Sequence, residues 1–173
     1  MRIIFTLVLL VLTLASANAA QLDLSRVKTS VDFSRYEADT VVISASERRL
    51  FYKSRDGKLI AYPVAVGRDG MNWSGTATIQ KVAEWPDWVP PADMRRRQPS
   101  LPVRMAGGWG NPLGARALYL FEGKRDTLYR IHGTSSEGSI GYPVTSGCIR
   151  MLNADVEELA GLVRIGTKVV VLK

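Results

Sequence analysis

The chain contains one histidine and one cysteine, and both side chains are suited to nucleophilic chemistry. His132 ends a predicted strand, and Cys148 lies within the sequence Thr145-Ser146-Gly147-Cys148. A thiolate attacks a carbonyl carbon, and a neighbouring imidazole takes the thiol proton and returns it to a leaving amine. Residues 134–144 between them are rich in Ser and Gly, so a turn-rich connection can bring the two side chains together. The pair therefore predicts a Cys–His acyl-transfer site.

Two residues near the cysteine support this prediction. Arg150 is two positions beyond Cys148, so on a strand both point to one face, where the arginine favours the thiolate or holds a substrate carboxylate. Gly147 admits a substrate close to the backbone, and we expect the amides of Gly147 and Cys148 to donate to an oxyanion. The alternative is a core cysteine, a satisfied edge histidine and a solvated arginine. Each is favoured singly, but their combination favours the catalytic interpretation.

Composition limits the other possibilities. The 173 residues, 46% hydrophobic and 23% charged, suffice for one globular domain with a core. A single cysteine excludes a disulfide within the chain, and a single histidine argues against a zinc site. We therefore predict no metal and no cofactor.

Residues 1–19 have the pattern of a secretory signal peptide. A short basic start precedes an apolar run, residues 3–14, and an Ala-x-Ala sequence ends at Ala19. A membrane anchor is the alternative, but a spanning helix needs about 20 apolar residues. We therefore predict export to the periplasm or cell wall, with no stable membrane span and no nucleic-acid partner. In an exported chain, an unpaired cysteine is buried and inert, bonded to another chain, or a working thiol.

The remaining pattern predicts a mostly β domain over residues 40–173, preceded by a lead-in at residues 20–39. We expect strands at residues 40–44, 49–53, 59–66, 76–82, 117–121, 127–131 and 167–172, with Asp56-Gly57 in a hairpin. One helix is predicted, capped by Asn153 and ended by Gly166. Its apolar stripe consists of Val156, Leu159, Leu162 and Val163. A β-sandwich or partly closed barrel with one or few helices fits this order.

Residues 81–113, here called the Trp–Pro segment, stand apart. They hold six of the eight prolines and three of the four tryptophans, which argues against regular structure. We expect Trp85, Trp88 and Trp109 to belong to a substrate lid, with a self-packed surface loop as the alternative. The run Arg95-Arg96-Arg97 either steers the protein toward an anionic polymer or is a solvated face, and the solvated face is favoured.

These residues resemble the catalytic domain of the L,D-transpeptidases, enzymes that remodel bacterial peptidoglycan. The family signature is His-Gly followed by Ser/Thr-x-Gly-Cys-hydrophobic-Arg, and this chain has His132-Gly133 and Thr145-Ser146-Gly147-Cys148-Ile149-Arg150. Further similar segments are Trp88-Val89-Pro90-Pro91, Asn111-Pro112-Leu113-Gly114, Ser139-Ile140-Gly141 and residues 153–159.

The resemblance implies that Cys148 attacks a peptide-stem carbonyl, with His132 as the base. The carbonyl of Gly133 would orient the imidazole, and Arg150 would support the site. The donor would be the bond between the third stem residue and the fourth, D-Ala, in a peptidoglycan tetrapeptide. The acceptor would be an amine of a second stem, a lipoprotein lysine, a D-amino acid, or water. The resemblance also implies acylation by carbapenems.

Two departures from the family pattern alter these expectations. Ser146 stands where many relatives have His, which leaves His132 as the sole imidazole base. Asn72-Trp73-Ser74-Gly75 replaces Thr-Pro-x-Gly, for which we expect an altered groove wall rather than lost chemistry. An L,D-carboxypeptidase on the same site, or a wall-binding protein without catalysis, remains the alternative to a transpeptidase.

Overall fold

The computed structural model describes residues 28–173, and their fold is mostly β. The predicted signal peptide and the first part of the predicted lead-in lie outside the described residues. Ten strands and two α-helices are present in the described part, together with 3₁₀ turns at Phe33–Arg35 and Glu137–Ser139. The strands are β1 (Thr40–Ser44), β2 (Arg49–Lys53), β3 (Leu59–Pro63), β4 (Val66–Gly67), β5 (Gly75–Glu84), β6 (Arg116–Glu122), β7 (Arg125–His132), β8 (Pro143–Thr145), β9 (Ile149–Arg150) and β10 (Lys168–Leu172). The helices are α1 (Ala92–Arg97) and α2 (Asn153–Leu162).

Eight strands form one large sheet, curved into a half-barrel, in the order β3-β2-β1-β10-β5-β6-β7-β9. The strands β4 and β8 form a small parallel pair beside it. All five residues of β1 are buried, because this strand pairs with β2 on one side and with β10 on the other. The predicted mostly β class with few helices is confirmed.

The helix α2 packs on β6 and β7 through the predicted apolar stripe, with Val156 and Leu159 fully buried. The two predicted ends of this helix are wrong. Asn153 is its first residue, and no side chain caps it, because the Asn153 side chain bonds to other loops. The helix ends at Leu162, and Gly166 lies in the following turn, where its N–H donates to the carbonyl of Ile79.

The predicted strand at residues 59–66 is divided in two. The strand β3 ends at Pro63, after which the N–H of Ala65 donates to the carbonyl of Arg150. Val66 then begins β4, which pairs with β8 rather than with β2. The prediction of one strand is therefore wrong, because the chain crosses from the large sheet to the small one.

The expectation of no regular structure in the Trp–Pro segment is also wrong. The strand β5 continues to Glu84, and α1 occupies residues 92–97. Pro91 directly precedes α1, and Asp93 and the arginines complement the positive and negative helix ends. Both α-helices of the described residues fall short of the length and apolar character that a membrane span requires.

Candidate active site

The site lies at the edge of the half-barrel, where β7 runs parallel to β9. The register pairs His132 with Arg150, and the Met151 N–H donates to the His132 carbonyl at 2.8 Å. Cys148 immediately precedes β9, so this pairing brings it alongside Arg130 of β7. Because alternate residues of a strand share a face, the register places the thiol on the face that carries His132.

The imidazole of His132 is buried and held in one orientation. Its Nδ1 lies 2.6 Å from the carbonyl oxygen of Gly133, the arrangement that the family resemblance implies. A carbonyl oxygen only accepts hydrogen bonds, so Nδ1 carries the proton and Nε2 keeps its lone pair. Burial lowers the pKa of His132 from 6.5 to about 4, helped by the charges of Arg150 and Arg130 and opposed by the Gly133 bond. The ring is therefore a neutral base at neutral pH.

The thiol of Cys148 is half-buried, and its Sγ lies 3.9 Å from the carbonyl oxygen of Leu128. Burial raises the pKa of this thiol above its ordinary value. The N–H of Arg130 and the charges of Arg130 and Arg150 act in the opposite direction but are outweighed. The charge of Arg150 therefore lowers the pKa of the thiol, as expected, but burial outweighs it. The free site holds a neutral thiol on the same sheet face as a neutral imidazole.

Arg150 is a half-buried cation next to the thiol. One guanidinium nitrogen donates to the Ser139 hydroxyl at 2.9 Å, and the Nε atom is buried without a hydrogen-bond partner. Among the described residues no carboxylate forms an ion pair with Arg150. Its charge is therefore available to an anionic group of a substrate, one of the two roles expected for it.

Gly147 is required by the wall of the site, but its amide is already used. Its φ of +116° disfavours other residues, and an added Cβ would lie 2.5 Å from the Tyr129 ring and 2.8 Å from the Met71 carbonyl. The Gly147 N–H donates to the Thr145 hydroxyl at 3.1 Å, which corrects its expected oxyanion role. Of the backbone amides of Gly147 and Cys148, only that of Cys148 is still predicted to donate to the oxyanion.

Sequence reasoning missed the role of Arg130, which lies two residues before His132. Its guanidinium forms a two-point ion pair with Asp126, at 2.7 and 2.8 Å, and stacks over the ring of Tyr119. This fixes the β7 segment whose N–H faces the thiol. The two-residue spacing was the available signal, because it places Arg130 and His132 on one face of a strand.

A cavity of about 360 Å³ lies beside Ser146. Its lining includes Gly70, Met71 and Asn72 on one side, Pro91, Asp93, Met94 and Arg97 on another, and Tyr129. The ring of Tyr129 stacks on Trp73 at 5.4 Å between centroids. The segment at residues 72–75, which differs from the family pattern, is distant from Cys148 in sequence. It contributes to the wall of the cavity, as expected, through Asn72 and through the stacking of Trp73 on Tyr129.

The three predicted lid tryptophans are not among the residues that line this cavity. Trp85 and Trp109 lie against each other, with ring centroids 5.4 Å apart, and Trp109 is 82% exposed. Asn111 holds the surrounding loop to itself, because its side-chain amide donates to the carbonyls of Pro86, Met105 and Ala106. The structure shows that α1 is the part of the segment that lines this cavity, and the lid role of the tryptophans stays a prediction.

The arginines of the segment differ in their surroundings. Arg96 pairs with Asp93, and Arg104 pairs with Asp87, so these two charges are already compensated. Arg97 lines the cavity and forms no ion pair within residues 28–173. Of the arginines on α1, only Arg97 thus combines a place at the cavity with an uncompensated charge.

A thiol on the same sheet face as a buried neutral imidazole, with a cation and a cavity nearby, is the kind of arrangement that cysteine acyl transfer uses. The profile of the L,D-transpeptidase catalytic domain matches residues 38–171, and the chain belongs to this family. The Escherichia coli protein named as a probable L,D-transpeptidase, ErfK/SrfK, is 34% identical in an alignment of 141 residues that covers 76% of this chain. The chain spans 43% of the length of that relative.

Two solved structures extend the comparison. A Brucella melitensis protein described as a probable carnitine operon oxidoreductase is 43% identical, with a TM-score of 0.55, over 82% of this chain and 91% of its own. That description concerns the Brucella protein, whereas the family of this chain follows from the catalytic-domain match. An Enterococcus faecium L,D-transpeptidase, 16% identical, shares the fold with a TM-score of 0.60 over 79% of this chain and 50% of its own.

Proposed function

We propose that this chain is an exported L,D-transpeptidase that acts on peptidoglycan tetrapeptide stems through a Cys148 acyl-enzyme. It cleaves the bond between the third stem residue and D-Ala and transfers the acyl group to an amine. The observation that carries this proposal is the placement of Cys148 on the same face as His132, whose Nδ1 is bonded to the Gly133 carbonyl. Family membership supports the substrate class.

Acylation begins from the neutral pair. As Sγ attacks the stem carbonyl carbon, the thiol proton passes to Nε2 of His132, and the carbonyl oxygen becomes an oxyanion. The Cys148 N–H and the nearby charge of Arg150, which has no carboxylate partner among the described residues, stabilise this oxyanion. When the intermediate collapses, the C–N bond to D-Ala breaks, and His132 returns the proton to the departing amine. A thioester on Cys148 and free D-Ala result.

Transfer reverses the same steps with a new amine. The acceptor nitrogen attacks the thioester carbon and gives its proton to Nε2 of His132. The C–S bond then breaks, an amide forms, and His132 protonates the released sulfur. Water in place of the amine would give a trimmed stem, so the cavity must favour the amine if transfer is to dominate.

The deciding experiment is incubation of the purified protein with tetrapeptide muropeptides, with products identified by mass. A cross-linked dimer with release of D-Ala is the expected result. Trimmed stems alone would indicate an L,D-carboxypeptidase, and unchanged substrate would indicate binding without catalysis. Cys148→Ala is the matched control, since it removes only the sulfur and is expected to give no product.

Export is the part of the proposal that rests on residues 1–19. Their basic start, apolar run and Ala-x-Ala end support cleavage after Ala19. The intact mass of the protein recovered from a periplasmic or wall fraction is expected to correspond to a chain that begins at Ala20. A full-length mass in the cytoplasmic fraction would contradict export without affecting the catalytic proposal.

A further inference from the structure

Asn153 connects three parts of the chain at the back of the candidate site. Its Oδ1 accepts hydrogen bonds from the N–H groups of Ala115 and Thr134, each at 3.0 Å. Its Nδ2 donates to the Thr134 carbonyl at 2.9 Å. The start of α2, the loop before β6 and the turn after His132 are therefore held together by one side chain.

Two glycines pack closely against this amide. An added Cβ at Gly133 or at Gly114 would overlap Oδ1 of Asn153. Two glycines from separate loops therefore close around the Asn153 amide, and the Gly133 N–H is further fixed by the Arg116 carbonyl at 3.0 Å. Such close packing around one polar group makes its position, and the positions of its neighbours, well defined.

The residue held most directly is the partner of the imidazole. Gly133 lies between His132 and Thr134, and Asn153 bonds both backbone groups of Thr134. The peptide that joins Gly133 to Thr134 contains the carbonyl that accepts from Nδ1 of His132 at 2.6 Å. The Thr134 N–H on the same rigid peptide points to Asn153. The orientation of this carbonyl is therefore set by Asn153.

We propose that Asn153 is a positioning residue for the acyl-transfer reaction, which fixes the His132 tautomer by orienting the Gly133–Thr134 peptide. Without Asn153, this peptide can rotate, and the proton on Nδ1 loses its dedicated acceptor. The imidazole then also populates the tautomer that carries its proton on Nε2. In this tautomer Nε2 has no free lone pair and cannot accept the thiol proton. The inference rests on the proposed function for its kinetic consequence, but the tautomer itself can be measured without substrate.

The chain offers a direct test because His132 is its only histidine. Protein labelled with ¹⁵N-histidine, without a histidine tag, gives one pair of imidazole nitrogen signals. In the wild-type protein we expect a protonated Nδ1 and an unprotonated Nε2 at neutral pH. Asn153→Ala is expected to give a mixture of tautomers. Asn153→Asp loses the donor to the Thr134 carbonyl but keeps the oxygen that accepts from Ala115 and from the Thr134 N–H of the orienting peptide, so it is expected to retain the wild-type tautomer as the major form.

Kinetics provide the second measurement. For Asn153→Ala we expect kcat to fall about 10- to 100-fold, less than the ~10²–10⁴ for loss of the imidazole itself. KM should change less than threefold, because Asn153 does not line the cavity. Thr167→Val is the control: it removes a buried hydroxyl bonded to Asp39 and Arg164 at the far end of α2. This variant should lower stability but leave tautomer and kcat unchanged.

The outcomes separate the two proposals. An unaltered tautomer in folded Asn153→Ala would overturn the positioning role, as would a mixed tautomer in Thr167→Val. If Asn153→Ala fails to fold, Asn153→Asp takes its place. A mixture of tautomers in Asn153→Asp together with a wild-type kcat would then overturn the positioning role. Absence of any product from the wild-type protein would refute the proposed function alone, because the tautomer measurement would still decide the role of Asn153.

Discussion

Acid should destabilise this protein through His132, by an amount that follows from its burial. The imidazole is 4% exposed, and its pKa falls from 6.5 to about 4 on folding. Between these values the unfolded chain binds a proton that the folded chain does not, so the free energy of unfolding rises with pH. Each unit of pKa difference corresponds to 1.36 kcal/mol, so the titration of His132 should lower the free energy of unfolding by about 3 kcal/mol when the pH falls from 6.5 to 4.

The assay is equilibrium denaturation in urea at several pH values for the wild type and for His132→Asn. The Asn side chain can still donate to the Gly133 carbonyl but does not titrate, and shared carboxylates cancel in the difference. The wild type should lose about 3 kcal/mol more than the variant between pH 6.5 and pH 4. Parallel pH profiles for the two proteins would refute the reasoning, because they would mean that His132 titrates normally in the folded state.

Four further predictions concern the site. Iodoacetamide should alkylate Cys148 slowly at neutral pH, because burial raises the pKa of this thiol. The alkylation rate should still increase at pH values where an ordinary thiol is already fully ionised, and fast labelling at pH 6 would contradict this. A carbapenem should add one molecule to the wild type in intact-mass spectra and none to Cys148→Ala, and an unmodified mass in active enzyme would be the contrary result. Arg97→Ala should raise KM for muropeptides about tenfold, the effect of losing a charged hydrogen bond, whereas Arg104→Ala, which removes a partner of Asp87 away from the cavity lining, should not; equal effects would exclude a specific role for Arg97. Gly147→Ala should lower the free energy of unfolding by about 1–3 kcal/mol, because the backbone at Gly147 has a positive φ and the new Cβ would meet the Tyr129 ring. Unchanged denaturation would show that the ring moves freely.

Most of the strands, the apolar stripe of the helix and the two chemical groups could be predicted from the sequence, although the predicted strand at residues 59–66 is divided in two. Residues 40–44 are β-branched and apolar, and they form a fully buried central strand, because such side chains fit a sheet covered on both faces. Val156 and Leu159 recur at helical spacing and are buried, as that spacing requires. The motif around Cys148 was sufficient to recognise the family, because the spacing of residues along the chain indicates which side chains share a face.

The surroundings of those groups could be learned only from the folded chain. Asn153 looked like a helix cap in sequence, yet its amide bonds Ala115 and Thr134, which lie far from it along the chain. The tryptophans suggested a lid, whereas α1 reaches the cavity. The neutral thiol–imidazole pair likewise depends on burial. Desolvation and long-range hydrogen bonds arise from segments distant in sequence that meet in space, so no local pattern specifies them.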